Sequence, residues 1–423
     1  MLDIRFIRDN KELVKAAAKK RGLDFEVQEL LSLDDERRKR QEEVERLRAE
    51  QNQASKVVST LTDPQVRQER IEEIQELKST LQSAEEDLKQ LIHRWQELML
   101  LVPNIPDVSV PVGHGEESNK ELKQWGEKPE FTFPPKDHME LMTALNMVDF
   151  ERGAKVHGFR GYFLKNDGAL LTVALWNYAR DFYLRKGFEF FLTPAIVKKE
   201  FFYGTGHLPS GAEDLFVTQD DDYLSGTAEV PLMAYFSNEI IDKNGLPKRF
   251  LAFSPCFRRE AGSYGKDTKG LMRVHEFYKL EQLILCEANH ELSVKFHEEL
   301  NRNMEEFIES LGLPYRQVVL STVELKGSQV KCYDTELWIP SIKNFREIGS
   351  ASYYHDFQSR RFNTRYIDND GKKKYVHSLN ATALPTPRIL IALLENNQRS
   401  DGSVLIPKVL HSYLGKEVLS KAL

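Results

Sequence analysis

The side chains with the most chemical potential crowd into one stretch, Phe257–Gln282, which reads FRREAGSYGKDTKGLMRVHEFYKLEQ. It resembles two strands joined by a long turn, and strand side chains alternate between faces. On the first arm Arg258 and Glu260 point one way. On the return arm Arg273, His275, Phe277, Lys279 and Glu281 share a face, while Val274, Tyr278 and Leu280 take the other and reach toward a core. One face is therefore cationic, acidic and aromatic together. The loop between the arms, Gly262–Gly270, carries Lys266 and Lys269 among turn-tolerant residues, as a mobile flap over phosphates would. A solvated hairpin has the same composition, and this stretch alone does not decide between the two.

Other elements must position these side chains. The chain has 423 residues, enough for two or three domains. Hydrophobic residues make up 41% and charged residues 29%, with no apolar run near the roughly 20 residues of a membrane span. The opening MLDIRFIRDN has neither the apolar core of a secretory signal nor the character of a transit peptide, so the expected location is the cytoplasm. Cys256, Cys286 and Cys332 are scattered and odd in number, which argues against disulfides and against a cysteine-rich zinc site. A net charge of −6 gives no general attraction to nucleic acid, so such a partner has to be met by local patches or shape.

Asp9 and Glu12 have capping-box spacing and Gly22 supplies a stop, which predicts a short first helix through KELVKAAAKKR. Next comes a seam at alternate steps of three and four: Leu30, Leu33, Arg37, Arg40, Val44, Leu47, Gln51, Ala54, Val58 and Leu61. After TDPQ it resumes without a polar residue, at Ile74, Leu77, Leu81, Ala84, Leu88, Leu91, Trp95 and Leu98. Two long helices are expected, antiparallel because Thr62–Gln65 leaves room only for a reversal, and ending before Pro103. At 1.5 Å per residue, an arm of about 35 residues reaches roughly 50 Å. A dimerising coiled coil is the alternative use of such a seam. Residues 1–102 hold 19 Lys and Arg against 22 Asp and Glu, so only the cluster Arg37, Arg38, Lys39 and Arg40 hints at nucleic acid.

Residues 103–135 are rich in Pro, Gly and charge, and read as a linker or strap to a body spanning 136–423. The body opens with an amphipathic helix, GALLTVALWNYARDFYLRKG, that stops at Gly187 and leads into the strand FEFFLTP. Near the C-terminus LNATALPTPRILIALLENNQ turns into a helix, with Pro387 suited to its first turn and Arg388 just behind.

LTP closing a helix and strand, FRREAG through RVHEFYKLE, and the arginine opening a late helix resemble motifs one, two and three of class II aminoacyl-tRNA synthetases. Within that class the N-terminal arm, GTAEVPL, YDTELWIPS, REIGSAS, DFQSRR and LPSGAEDLF are similar to seryl-tRNA synthetases of the bacterial and organellar type. The match runs over nearly the whole chain. It implies an α+β fold with an antiparallel sheet, a homodimer paired through motif one, and an arm that grips the long variable arm of serine tRNA. Selenocysteine tRNA is a second partner the family admits, and no membrane partner is implied.

The implied activity is ligation of L-serine to tRNA through a seryl-adenylate, with ATP as substrate, Mg²⁺ as the metal and no zinc. Such a reaction needs two anions positioned and spreading phosphate charge neutralised. By resemblance Arg258 holds the α-phosphate and the serine carboxylate, and Arg388 holds the γ-phosphate. Phe277 stacks on adenine and Glu260 meets its amino group, while Arg259, Ile348 and Gly349 complete the ATP set. Glu347 and Ser350 align with the magnesium pair, oxygen ligands suited to a hard cation. Serine falls to Thr227, Ala228, Glu229, Glu281, Asn380 and Thr382, together with Arg258.

Two segments depart from the family pattern. EIGSAS stands where EISSCS is common, and NATALPTPR where NGSGLAVGR is common, which puts Gly349, Ala351 and Thr382 at altered positions. Two other readings stay open: a different class II amino-acid-activating enzyme, and a non-catalytic coiled-coil scaffold derived from one.

Overall fold

The structure is a computed structural model that describes residues 1–263 and 269–421. The chain divides into two compact units, one of residues 2–19 with 23–103, the other of Met1, Lys20–Gly22 and Asn104 onward.

The smaller unit is helical. Asp3, rather than Asp9, caps the first helix, Ile4–Asp9, by accepting from the Arg5 amide. Asp9 ends that helix, and a separate helix runs over Lys11–Lys20. Gly22 stops the chain with φ +65°, a conformation glycine adopts without strain. The two long helices are Val27–Thr60 and Pro64–Leu101. Asp63 caps the second, and Pro64 at its first position lacks the amide that would otherwise go unbonded. Pairing is antiparallel, because Glu29 meets Arg94, Arg40 meets Asp87 and Arg48 meets Glu85. Val44, Leu47, Leu81 and Ala84 form the buried seam. Two of its polar interruptions have partners: Arg37 bonds the buried Asp34 at 2.8 Å and lies 4.9 Å from the Trp95 ring centre, and Arg40 pairs with Glu43 and Asp87.

The larger unit is built on one eight-stranded sheet. Its strands are β1 (Lys120–Trp125), β2 (Glu189–Leu192), β3 (Lys248–Phe257), β4 (Glu276–Cys286), β5 (Tyr315–Val319), β6 (Lys331–Ile339), β7 (Asn344–His355) and β8 (His377–Thr386). Spatial order is β1-β5-β6-β7-β8-β4-β3-β2, antiparallel throughout except where β2 joins β3. The edge strand β1 therefore comes from the segment expected to be a strap.

Burial follows position in the sheet. Nearly every residue of the central strand β8 is buried, as a strand covered on both faces requires. Two helices that touch each other pack on one face. Asp167–Leu184 contributes Leu171, Leu175 and Tyr183, and His290–Ser310 contributes Leu300, Met304 and Phe307, which join Leu280, Ile284, Leu379 and Leu384 in one core. A third helix, Arg388–Asn396, follows β8 directly, with Pro387 at its cap position and Arg388 first in the helix.

Candidate active site

A cavity of about 250 Å³ opens over the middle of this sheet. It is lined by Arg258 from the end of β3, Phe277 and Lys279 from β4, Glu347 to Ser350 from β7, Thr382 from β8 and Arg388 from the helix that follows. Arg258 and Arg388, 130 positions apart in sequence, thus face one space.

Two irregularities in the ladder aim these side chains. Across β6 and β7 the register slips between Thr335 and Glu336, so Ile348 is an extra residue and Glu347 turns into the cavity beside Gly349 and Ser350. Between β4 and β8 it slips after Leu280, which brings Glu281 opposite Thr382. Such bulges bend a strand and redirect one side chain.

At the first arginine, the Arg258 Nε and one terminal nitrogen donate to the Gly226 carbonyl at 3.3 and 3.2 Å, with the guanidinium 5.1 Å from the Phe277 ring centre. At the second, Arg388 Nε donates to the Met272 carbonyl at 2.9 Å and Nη1 donates to Glu347 Oε2 at 2.8 Å. Burial works against the Glu347 charge, but the Arg388 and Arg258 guanidiniums outweigh it and hold that carboxyl below its ordinary range. Asp334, on the same cavity wall, goes the other way. Burial, then the negative charges of Glu347 and Glu336, push it well up. Glu347, Asp334 and the Ser350 hydroxyl line the same cavity and offer only oxygen atoms, the ligand type a hard divalent cation takes.

Behind the cavity lies a buried polar group. Thr227 Oγ1 accepts from Lys279 Nζ at 3.1 Å, and Lys279 is ion-paired with Glu281. Glu281 Oε1 accepts from Asn380 Nδ2 at 3.1 Å, while Asn380 Oδ1 accepts from Tyr354 at 2.8 Å. Glu229 accepts from Gln358 at 2.6 Å, and burial followed by the Glu281 charge raises its carboxyl. Thr382 connects this group to the cavity wall. A Cβ placed on Gly349 would stand 2.5 Å from the Thr382 Cβ and 2.8 Å from its methyl and hydroxyl. The two departures from the family pattern at Gly349 and Thr382 are therefore a single packing event.

Several expected positions differ. Strand pairing ends at Phe257 opposite Glu276, and Glu260 has φ +55°, so alternation does not extend to the hairpin's outer residues. Glu260 and Arg273 still meet, at 2.7 Å, on the cavity wall. His275 leaves the shared face, its ring 5.5 Å from His157 and 6.1 Å from Phe216. Arg259 is exposed and lies outside the cavity lining. Of the loop lysines, Lys269 is exposed and Lys266 lies outside the described residues. Sequence reasoning overlooked Asp334, Gln358 and Lys326. Each reaches the site only through long-range contacts, although YDTELW and DFQSRR had marked two of their segments.

A seryl-tRNA synthetase N-terminal domain model matches residues 1–106, and the model of the class II tRNA synthetase core domain (G, H, P, S and T) matches residues 216–397. The serine-tRNA ligase of Deinococcus radiodurans is 40% identical over 423 residues, covering 100% of this chain and 99% of its own. That of Petrotoga mobilis is 42% identical over 426 residues, covering 99% and 100%. Among solved structures, seryl-tRNA synthetase from Pyrococcus horikoshii complexed with ATP aligns with a TM-score of 0.89 at 37% identity, over 100% of both chains. The cytoplasmic serine-tRNA ligase of Naegleria fowleri in complex with AMP aligns at 0.86 and 29% identity, over 100% and 99%.

Proposed function

The chain belongs to the seryl-tRNA synthetase family, and from that premise we propose that its cavity activates L-serine with ATP and passes the seryl group to a serine tRNA. The observation that carries this reading is the convergence of Arg258 and Arg388 on one cavity with Phe277 and Glu347. In the first step a serine carboxylate oxygen attacks the α-phosphorus, the bond to the bridging oxygen breaks, and pyrophosphate leaves. No protein nucleophile takes part. Arg258 spans the α-phosphate and the serine carboxylate, and Arg388 takes the distal phosphates, each as a fork suited to anionic oxygens. Phe277 offers a ring to the adenine. Glu347 and Ser350 would hold Mg²⁺, which when bound neutralises phosphate charge.

Serine is read by the group behind the cavity. Its ammonium meets Glu229 and Glu281, and its hydroxyl meets Thr382 and Asn380. A buried polar set that lacks its hydroxyl partner rejects alanine, and threonine is refused by shape.

The long helical arm, with Arg38 and Lys39 exposed on it, suits a grip on tRNA. A homodimer is supported by apolar side chains left open on the motif-one helix and strand, Leu170, Val173 and Leu192, and just before them, Val156 and Phe163; of these Val156, Phe163 and Val173 line a cavity of about 440 Å³. Among the described residues no helix is long and apolar enough to cross a membrane, and we place the enzyme in the cytoplasm.

Amino-acid-dependent exchange of pyrophosphate into ATP, run over all twenty amino acids, tests the reading. Serine is expected to support exchange. Exchange with threonine or proline instead would select a different class II enzyme, and no exchange with any would select a retired scaffold.

A further inference from the structure

Lys326 belongs to none of the motifs that carry the resemblance, yet it lines the same cavity as Arg258 and Arg388. Its side chain is open to that space, and among the described residues its ammonium has no hydrogen-bonding or ion-pair partner. The other cations of the site are engaged: Arg258 with a carbonyl, Arg388 with Glu347, Lys279 with Glu281 and Thr227.

The loop bearing Lys326 is held from beneath. Arg21, buried in the same compact unit, donates from its guanidinium to the carbonyls of Leu325 at 3.3 Å, Lys326 at 3.0 Å and Gln329 at 2.5 Å. The Lys326 amide donates to Gln329 Oε1 at 2.7 Å, and Gln329 Nε2 donates to Ser352 on β7 at 2.7 Å. A lysine on a free surface loop needs no such support. The charges that reach the ammonium include those of Arg258, Glu229, Lys279 and Asp334, so groups from both the phosphate end and the serine end of the site bear on it. Partial loss of water at the cavity wall, then the Arg258 charge, lowers its affinity for a proton, a cost that a bound anion would offset.

We propose that Lys326 is a third catalytic cation, reaching the α-phosphate where the serine carboxylate attacks it. Two anions meet at that point, and negative charge grows on the phosphate oxygens as the bond to pyrophosphate breaks. Lys326 forms no covalent bond and transfers no proton. Its ammonium stabilises charge that develops only in the transition state, which raises kcat more than it lowers KM.

This inference rests on the proposed serine activation, and the test separates the two. Full-length wild type, Lys326→Met and Lys326→Arg are compared in serine-dependent pyrophosphate exchange over a range of ATP and serine concentrations. The expected result is a kcat for Lys326→Met about 100-fold below wild type, with KM for ATP and serine within about threefold. Lys326→Arg, which keeps the charge, should recover to within about tenfold of wild type. A purely structural lysine would give no recovery with arginine and no split between kcat and KM. Lys326→Met within twofold of a serine-active wild type overturns the role of Lys326 and leaves the proposed function standing. A wild type inactive with all twenty amino acids overturns both.

Discussion

His297 supports the strand that carries Glu347, and it ties that support to pH. It is buried on the His290–Ser310 helix, its ring stacked 4.5 Å from Tyr333, and its Nε2 donates to the Ala351 carbonyl at 2.8 Å. Burial lowers it from 6.5 to about 4, with the bond to Ala351 working the other way. The folded state therefore keeps His297 neutral while the unfolded chain takes up a proton below 6.5. Stability contributed by His297 is complete above that value and is lost as pH falls through it toward 4. A shift of about 2.5 units at 1.36 kcal/mol per unit is about 3 kcal/mol, most of it gone by pH 4.5. Glutamine at 297 keeps an N–H for Ala351 and does not titrate. Denaturant unfolding of the catalytic unit at pH 7, 5.5 and 4.5 should show wild type losing about 2 to 3 kcal/mol more than His297→Gln over this range. Equal losses in the two proteins would mean that His297 is hydrated or charged in the folded state, and the reasoning fails.

Three further outcomes follow from the site. Gly349→Ala should cost about 1–3 kcal/mol of stability and raise KM for serine, since the added Cβ displaces Thr382; denaturation and exchange kinetics measure both. Arg388→Ala should reduce exchange by about 10²–10³, and Arg388→Lys should restore little, because lysine does not span the Met272 carbonyl and Glu347 as a fork does. Deleting residues 27–98 should leave exchange largely intact and abolish tRNA charging, and unimpaired charging would refute the role given to the arm.

The parts of the site legible in the sequence are those on regular elements close to their motif. Phe277 and Glu281 lie on a paired strand, so alternation locates them, whereas Thr382, on a strand that sequence read as irregular, was reached only through the resemblance. The seam of the arm was readable for the same reason, down to Leu81 and Ala84. Alternation gave the wrong place for His275, because the ladder stops one residue before it. β1 carries no alternating pattern at all: every one of its six residues is exposed, so its pairing with β5 leaves no apolar trace. Gln358 bonds Glu229, 129 positions away, and Lys326 shares its cavity with the distant Arg258 and Arg388; single-sequence spacing holds no record of such pairs. The relation between Gly349 and Thr382 is of this kind too, since it depends on how closely β7 and β8 approach.

The strand β1 has one more consequence. A sheet edge presents unpaired amides and carbonyls to any extended peptide nearby, and an eight-stranded sheet has long edges to guard. Here the outermost six residues, KELKQW, place two lysines and a glutamate along that border, all exposed, with Lys123 also paired to Glu305 and Glu121 to Arg316. A foreign strand docking there would have to strip their hydration, so the border resists aggregation at the crowded concentrations in which a nascent chain folds.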